Sequence, residues 1–99
     1  MSHGYHVARR DANEAEMTEA WRACGAIWIP QGEQAGFDGL LITRAGQIYF
    51  VEVKQMRAQH QVYYLTENER KMCKALTALG LHYEIVSNMT QALSLVGAE

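Results

Sequence analysis

Gly36-Phe37-Asp38-Gly39-Leu40-Leu41-Ile42-Thr43-Arg44-Ala45-Gly46-Gln47-Ile48-Tyr49-Phe50-Val51-Glu52-Val53-Lys54 is the stretch from which the fold can be read. Two β-branched and aromatic runs flank Arg44-Ala45-Gly46, a three-residue hairpin loop in which Gly46 supplies the left-handed position. With Thr43 facing Gln47, outward counting pairs Ile42 with Ile48, Leu40 with Phe50 and Asp38 with Glu52. Opposed residues point to the same face of a hairpin, and the period of two adds Lys54. An aspartate, a glutamate and a lysine thus meet at the end of an otherwise apolar sheet face.

Directly opposed like charges destabilise a strand pair by roughly 0.2–1 kcal/mol, and burial adds to the cost. A cation belongs between Asp38 and Glu52: either Lys54 or a divalent metal held by hard carboxylate oxygens. Two carboxylates, a metal and a lysine are the parts needed to hydrolyse a phosphodiester, the lysine orienting water and offsetting developing charge. Taken alone, Glu-x-Lys on a strand is ordinarily a solvated edge and Asp-Gly is ordinarily turn chemistry. Two further glutamates shift the balance. The spacing predicts a first helix over 13–24, stopped by Gly25, with Glu14, Met17, Trp21 and Cys24 on its inward stripe. A second helix over 67–79, capped by Thr66 and ended by Gly80, puts Glu69, Met72, Cys73, Leu76 and Leu79 inward. A carboxylate heading an apolar stripe is costly unless it is paired or bound to metal.

Ala26 to Ile29 reads as a strand before the hairpin, His82 to Val86 as a last strand, and Met89 to Val96 as a closing helix capped by Ser87 or Asn88. The expected fold is α/β in the α+β sense, in the order αβββαβα, with helices flanking a small mixed sheet. The 99 residues suit one domain, 1–99, with residues 1–10 as a polar arm. One proline and 48% apolar content exclude a low-complexity chain. No apolar run approaches membrane-spanning length and the first residues lack a signal core, so a cytoplasmic location is expected. Cys24 and Cys73 are expected to be reduced core thiols. His3 and His6 fall in the polar arm, and His60 in a polar connection. A formal net charge of −2 is not that of a uniformly basic nucleic-acid binder. The basic residues are nevertheless grouped: Arg9 and Arg10 before the first helix, Arg57 after the hairpin, and Arg70, Lys71 and Lys74 on the second long helix. These are the candidate nucleic-acid contacts.

Taken in order, Arg10-Asp11-Ala12-Asn13-Glu14, a helix ending Ala23-Cys24-Gly25, Asp38 in a Gly-x-x-Asp setting, Val51-Glu52-Val53-Lys54, and Leu65-Thr66-Glu67-Asn68-Glu69 resemble the PD-(D/E)XK nuclease superfamily. The finer likeness is to its virus-type replication-repair branch, VRR-NUC, and to small stand-alone phage-type members with a restriction-endonuclease-like core. The resemblance implies that Asp38 and Glu52 bind Mg2+ or Mn2+, with the Val53 carbonyl as a further ligand. It implies Lys54 as the catalytic lysine, and Glu14 as the first-helix glutamate that assists metal or water. Glu69-Arg70 stands where the family often carries a functional glutamine, and Phe37 where its signature has proline. It further implies a homodimeric, metal-dependent DNA endonuclease acting on branched DNA, Holliday-junction or flap-like, without a membrane partner. The alternative is a catalytically inactive nuclease-fold module that works through a protein or nucleic-acid partner. RNA is not separated from DNA by this chemistry.

Overall fold

The computed structural model describes residues 14–54 and 65–97. Residues 14–23 are helical (α1), followed by strand β1 (Ile27–Pro30), a single 3-10 turn (Glu33–Ala35), β2 (Gly39–Ile42), β3 (Ile48–Val53), α2 (Glu67–Ala78), β4 (His82–Val86) and α3 (Met89–Leu95). Helices and strands follow the expected αβββαβα order. Arg9, Arg10, Arg57, His3, His6, His60 and the arm 1–10 lie outside the described residues.

The sheet runs β1-β2-β3-β4, antiparallel through β3 and parallel between β3 and β4. The hairpin has the register read from sequence: Ile42 opposes Ile48 and Leu40 opposes Phe50. The Thr43 amide donates to the Gln47 carbonyl at 2.8 Å, the Gln47 amide donates to the Thr43 hydroxyl at 3.0 Å, and Gly46 has φ +88°. A positive φ in the residue closing such a loop is what favours glycine there. β1 is displaced by one residue from expectation, pairing Pro30 with Gly39. Proline has no amide hydrogen to donate, and an edge strand is where a sheet tolerates that loss.

Period two divides the sheet into unlike faces. Trp28, Leu41, Val51, Val53 and Val86 are buried with Met17 and Trp21 of α1 and Ala92 of α3 in one core. The opposite face carries Ile27, Ile29 and Ile48, all exposed, and at its far end Asp38 and Glu52. α1 and α2 both finish in the same way. Beyond α1, Ala26 bonds back to the Trp21 carbonyl and Gly25 to that of Arg22; beyond α2, Leu81 bonds back to Leu76 and Gly80 to Thr77. This is the Schellman ending that the two glycines signal in sequence.

Leu79 corrects the stripe expected for α2: it is 75% exposed, and Leu76 is the buried residue of that helix. The reason is position, because Leu79 is the C-cap, where the chain leaves the sheet-facing line of the helix. Cys24 and Cys73 are free thiols. Among the described residues, no helix is long and apolar enough to cross a membrane.

Candidate metal and phosphodiester site

Asp38 is set by the hairpin that follows it and by the turn that precedes it. Its amide donates to the Val51 carbonyl and its carbonyl accepts from the Gln31 amide, both at 2.8 Å. The first bond continues the β2–β3 ladder by one rank, bringing Asp38 opposite Glu52, and the second continues the β1–β2 pairing. Both carboxylates are buried, Asp38 at 7% and Glu52 at 2% exposure. Asp38 Oδ2 accepts the Val53 amide at 2.7 Å. A charged acceptor makes that bond stronger than a neutral one and fixes the carboxylate against β3.

Lys54, next along the strand face, stands between two acids. Its Nζ lies 3.6 Å from Glu52 Oε2 and 2.8 Å from Glu69 Oε1. Glu69 reaches it because Thr66 caps α2 in a reciprocal capping box: the Thr66 hydroxyl accepts the Glu69 amide at 3.1 Å, and Glu69 Oε1 accepts the Thr66 amide at 2.8 Å. One carboxylate oxygen therefore both ends a helix and holds the lysine. Such boxes arise from the Thr-x-x-Glu pattern itself. Asp38, Glu52 and Glu69 line one cavity of about 200 Å³ together with Gly36, Phe37, Thr66 and Asn68.

Burial acts to raise the Glu69 pKa, but hydrogen bonds from Lys54 and the Thr66 amide, a further one with the Glu52 side chain, and the Lys54 charge outweigh it, leaving it below the ordinary glutamate value. A depressed carboxyl stabilises the fold fully above its unfolded pKa, and that contribution is lost as pH falls through the lower folded value. Urea denaturation in chelator should therefore show wild type exceeding Glu69→Gln by its widest margin above the ordinary glutamate pKa of about 4.3, with the gap closing below it. A gap independent of pH would mean that the Lys54–Glu69 charge pairing adds nothing.

The residues singled out in sequence are not all brought together. Asp38, Glu52, Lys54 and Glu69 converge. Glu14, half-buried at the start of the described part of α1, instead lines a surface cleft with Ala15, Thr18, Glu19 and Arg22, and it is not among the residues lining the Asp38–Glu52–Glu69 cavity. Arg70, Lys71 and Lys74 are exposed on α2, with Lys71 3.7 Å from Glu67. An exposed pair of that kind contributes little to stability.

Sequence reasoning missed Tyr83 and Asn68. The Tyr83 hydroxyl donates to the Gly36 carbonyl at 2.9 Å, and Asn68 Nδ2 donates to the Gln34 carbonyl at 3.0 Å. Burial first, and then the negative charges of Glu52 and Glu69, push the Tyr83 phenol well above its usual range, so it remains a neutral donor. The one signal for Tyr83 would have been its rank beside Phe50, on the Glu52 face, and that rank depends on a parallel register.

Among the described residues, no three His, Cys, Asp or Glu side chains form a ready-made cage. Two buried carboxylates lining one cavity nevertheless suit Mg2+ or Mn2+, since Mg2+ retains several waters and needs only one or two protein carboxylates.

No protein-family model matches the sequence, and no curated protein matches it. Among solved structures, the chain is similar to one described as "VRR_NUC domain", with a TM-score of 0.67 and 20% sequence identity over 86% of this chain and 90% of that one. At this identity the likeness is one of architecture, and it extends across both chains almost entirely: this protein has the VRR_NUC fold.

Proposed function

We propose that this protein is a Mg2+- or Mn2+-dependent DNA endonuclease. The observation that carries the reading is the junction of buried Asp38 and Glu52 with Lys54 at one end of the β2–β3 hairpin. A module that only binds a partner gains nothing from burying two carboxylates on opposed strands, whereas a metal-dependent hydrolase requires it. In this reading Asp38, Glu52 and the Val53 carbonyl hold the metal, which when bound polarises the phosphate and acidifies water. Lys54 directs its ammonium at the attacking water or at the phosphate oxygens, where negative charge grows. Glu69 holds Lys54 in place, and Glu52 balances its charge. A part for Glu14 rests on the family resemblance alone, since it lines a different cleft; the exposed Arg70, Lys71 and Lys74, with Arg9, Arg10 and Arg57, contact the DNA backbone without reading sequence. Selectivity for branched DNA and action as a homodimer are supported by the family resemblance, and two protomers would double the phosphate contacts across a symmetric substrate.

The decisive experiment needs no substrate. An ion that binds only the folded state stabilises it by about 2.7 kcal/mol at a hundredfold excess over Kd. For a domain of this size that corresponds to a rise in Tm of about 10 °C or more. Wild-type protein melted with Mn2+ should show this rise, and Asp38→Asn, which keeps an oxygen to accept the Val53 amide, should fold and lose it. A wild type indifferent to Mn2+ and Mg2+ would overturn the nuclease reading in favour of the binding module. Cleavage of four-way, flapped and linear DNA, with and without metal, then defines the substrate.

A further inference from the structure

Asp38 is gripped on one side by its own hairpin and, through its carbonyl, by the Gln31 amide. On the other side, the turn leading into it is held by elements remote in sequence. Gly36 has φ +84°, and a Cβ placed there would lie 2.9 Å from the Met72 Cβ and 3.1 Å from the Asn68 carbonyl oxygen of α2. The turn is therefore pressed against α2 at a distance that only glycine permits. Asn68 fastens the Gln34 carbonyl, and Tyr83 of β4 fastens the Gly36 carbonyl from within the fold. Tyr83 reaches it because the parallel register places it beside Phe50, whose ring meets Phe37 edge-on with centroids 5.2 Å apart.

We infer that Tyr83 is a positioning residue for metal binding, its hydroxyl fixing the Gly36 carbonyl so that Asp38 faces Glu52 before any cation arrives. The inference rests on the nuclease reading above and adds to it the element that presets the ligand geometry. Without the hydroxyl, the turn loses its anchor to β4, Asp38 samples more orientations, and the cation must pay for ordering it.

Tyr83→Phe removes one oxygen and keeps the ring. In Mn2+ titrations by calorimetry at a temperature where both proteins are fully folded, Kd should rise about three- to tenfold, as expected for one neutral hydrogen bond. Hydrogen exchange in metal-free Tyr83→Phe should speed up at the Asp38 amide while the β3 amides keep their wild-type protection. Asn68→Ala, which frees the Gln34 carbonyl, should move both readouts in the same direction. A residue that merely adds stability would lower Tm without touching Kd. Wild-type Mn2+ binding that Tyr83→Phe leaves unaltered, or unaltered exchange at Asp38, would overturn this inference alone. Failure of the wild type to bind Mn2+ would overturn the nuclease reading, and this inference with it.

Discussion

Lys54→Ala should reduce kcat for metal-dependent DNA cleavage by about 10²–10³-fold, the size of effect seen when one preorganised donor to developing charge is removed. The structure distinguishes this loss from that of a metal ligand. Lys54 Nζ sits between Glu52 and Glu69, so its removal leaves two carboxylates, one of them 2% exposed, without their shared cation. The variant should therefore melt lower than wild type in chelator, yet gain more from Mn2+, because the metal then supplies the missing positive charge. Asp38→Asn should show the opposite pattern, losing the metal response along with activity. Single-turnover cleavage and metal-dependent melts of the two variants together check the division of labour. Full activity of Lys54→Ala would remove the lysine from the chemistry.

Trp21→Ala should be the most damaging single change to the fold. The side chain is fully buried; its indole N–H donates to the Ala92 carbonyl at 2.8 Å, and its ring lies 4.9 Å from that of Trp28. It thereby ties α1 to both β1 and α3. Emptying a buried tryptophan site costs about 3–5 kcal/mol, and removing the donor from a buried carbonyl adds about 1–3 kcal/mol. Against a total stability of about 5–15 kcal/mol, that is enough to leave a large fraction of the chain unfolded near body temperature. Urea denaturation followed by circular dichroism checks it, with Trp21→Phe as the milder companion that keeps most of the ring volume. A Trp21→Ala midpoint close to that of wild type would mean that α1 contributes little to the core.

The hairpin was legible because its information is local. Gly46 fixes the loop, the loop fixes the register, and the register fixes which residues share a face, so Asp38, Glu52 and Lys54 followed from counting. Thr66 and Asn88 likewise announce their helices through caps that bond within three residues. What escaped depends on chain segments far apart. Tyr83 meets Gly36 only because β4 lies parallel to β3 with Phe50 beside Tyr83, and a parallel register is set by a crossover rather than by a turn. Glu69 heads the apolar stripe as counted and its cap is written in the local Thr66-x-x-Glu69 pattern, but neither reveals that the same carboxylate holds Lys54 from the end of the hairpin. Leu79 was misplaced because a helical stripe has no meaning once the helix has ended.

The two kinds of strand pairing also divide the site in time. Asp38 and Glu52 are joined across a short antiparallel hairpin, a structure that closes in about 1–10 μs. Glu69 and Tyr83 arrive only when the crossover through α2 lays β4 against β3, a contact of high sequence separation that carries the larger loop-closure entropy and the slower rate. The same asymmetry operates in reverse during native-state fluctuations, where cooperative units open separately. An excursion that lifts α2 and β4 from β3 would part Glu69 from Lys54 and release the Gly36 carbonyl, while the hairpin kept its carboxylates opposed. In such an excursion the opposed carboxylates would keep their geometry while the groups that poise Lys54 and the Gly36 turn would lose theirs.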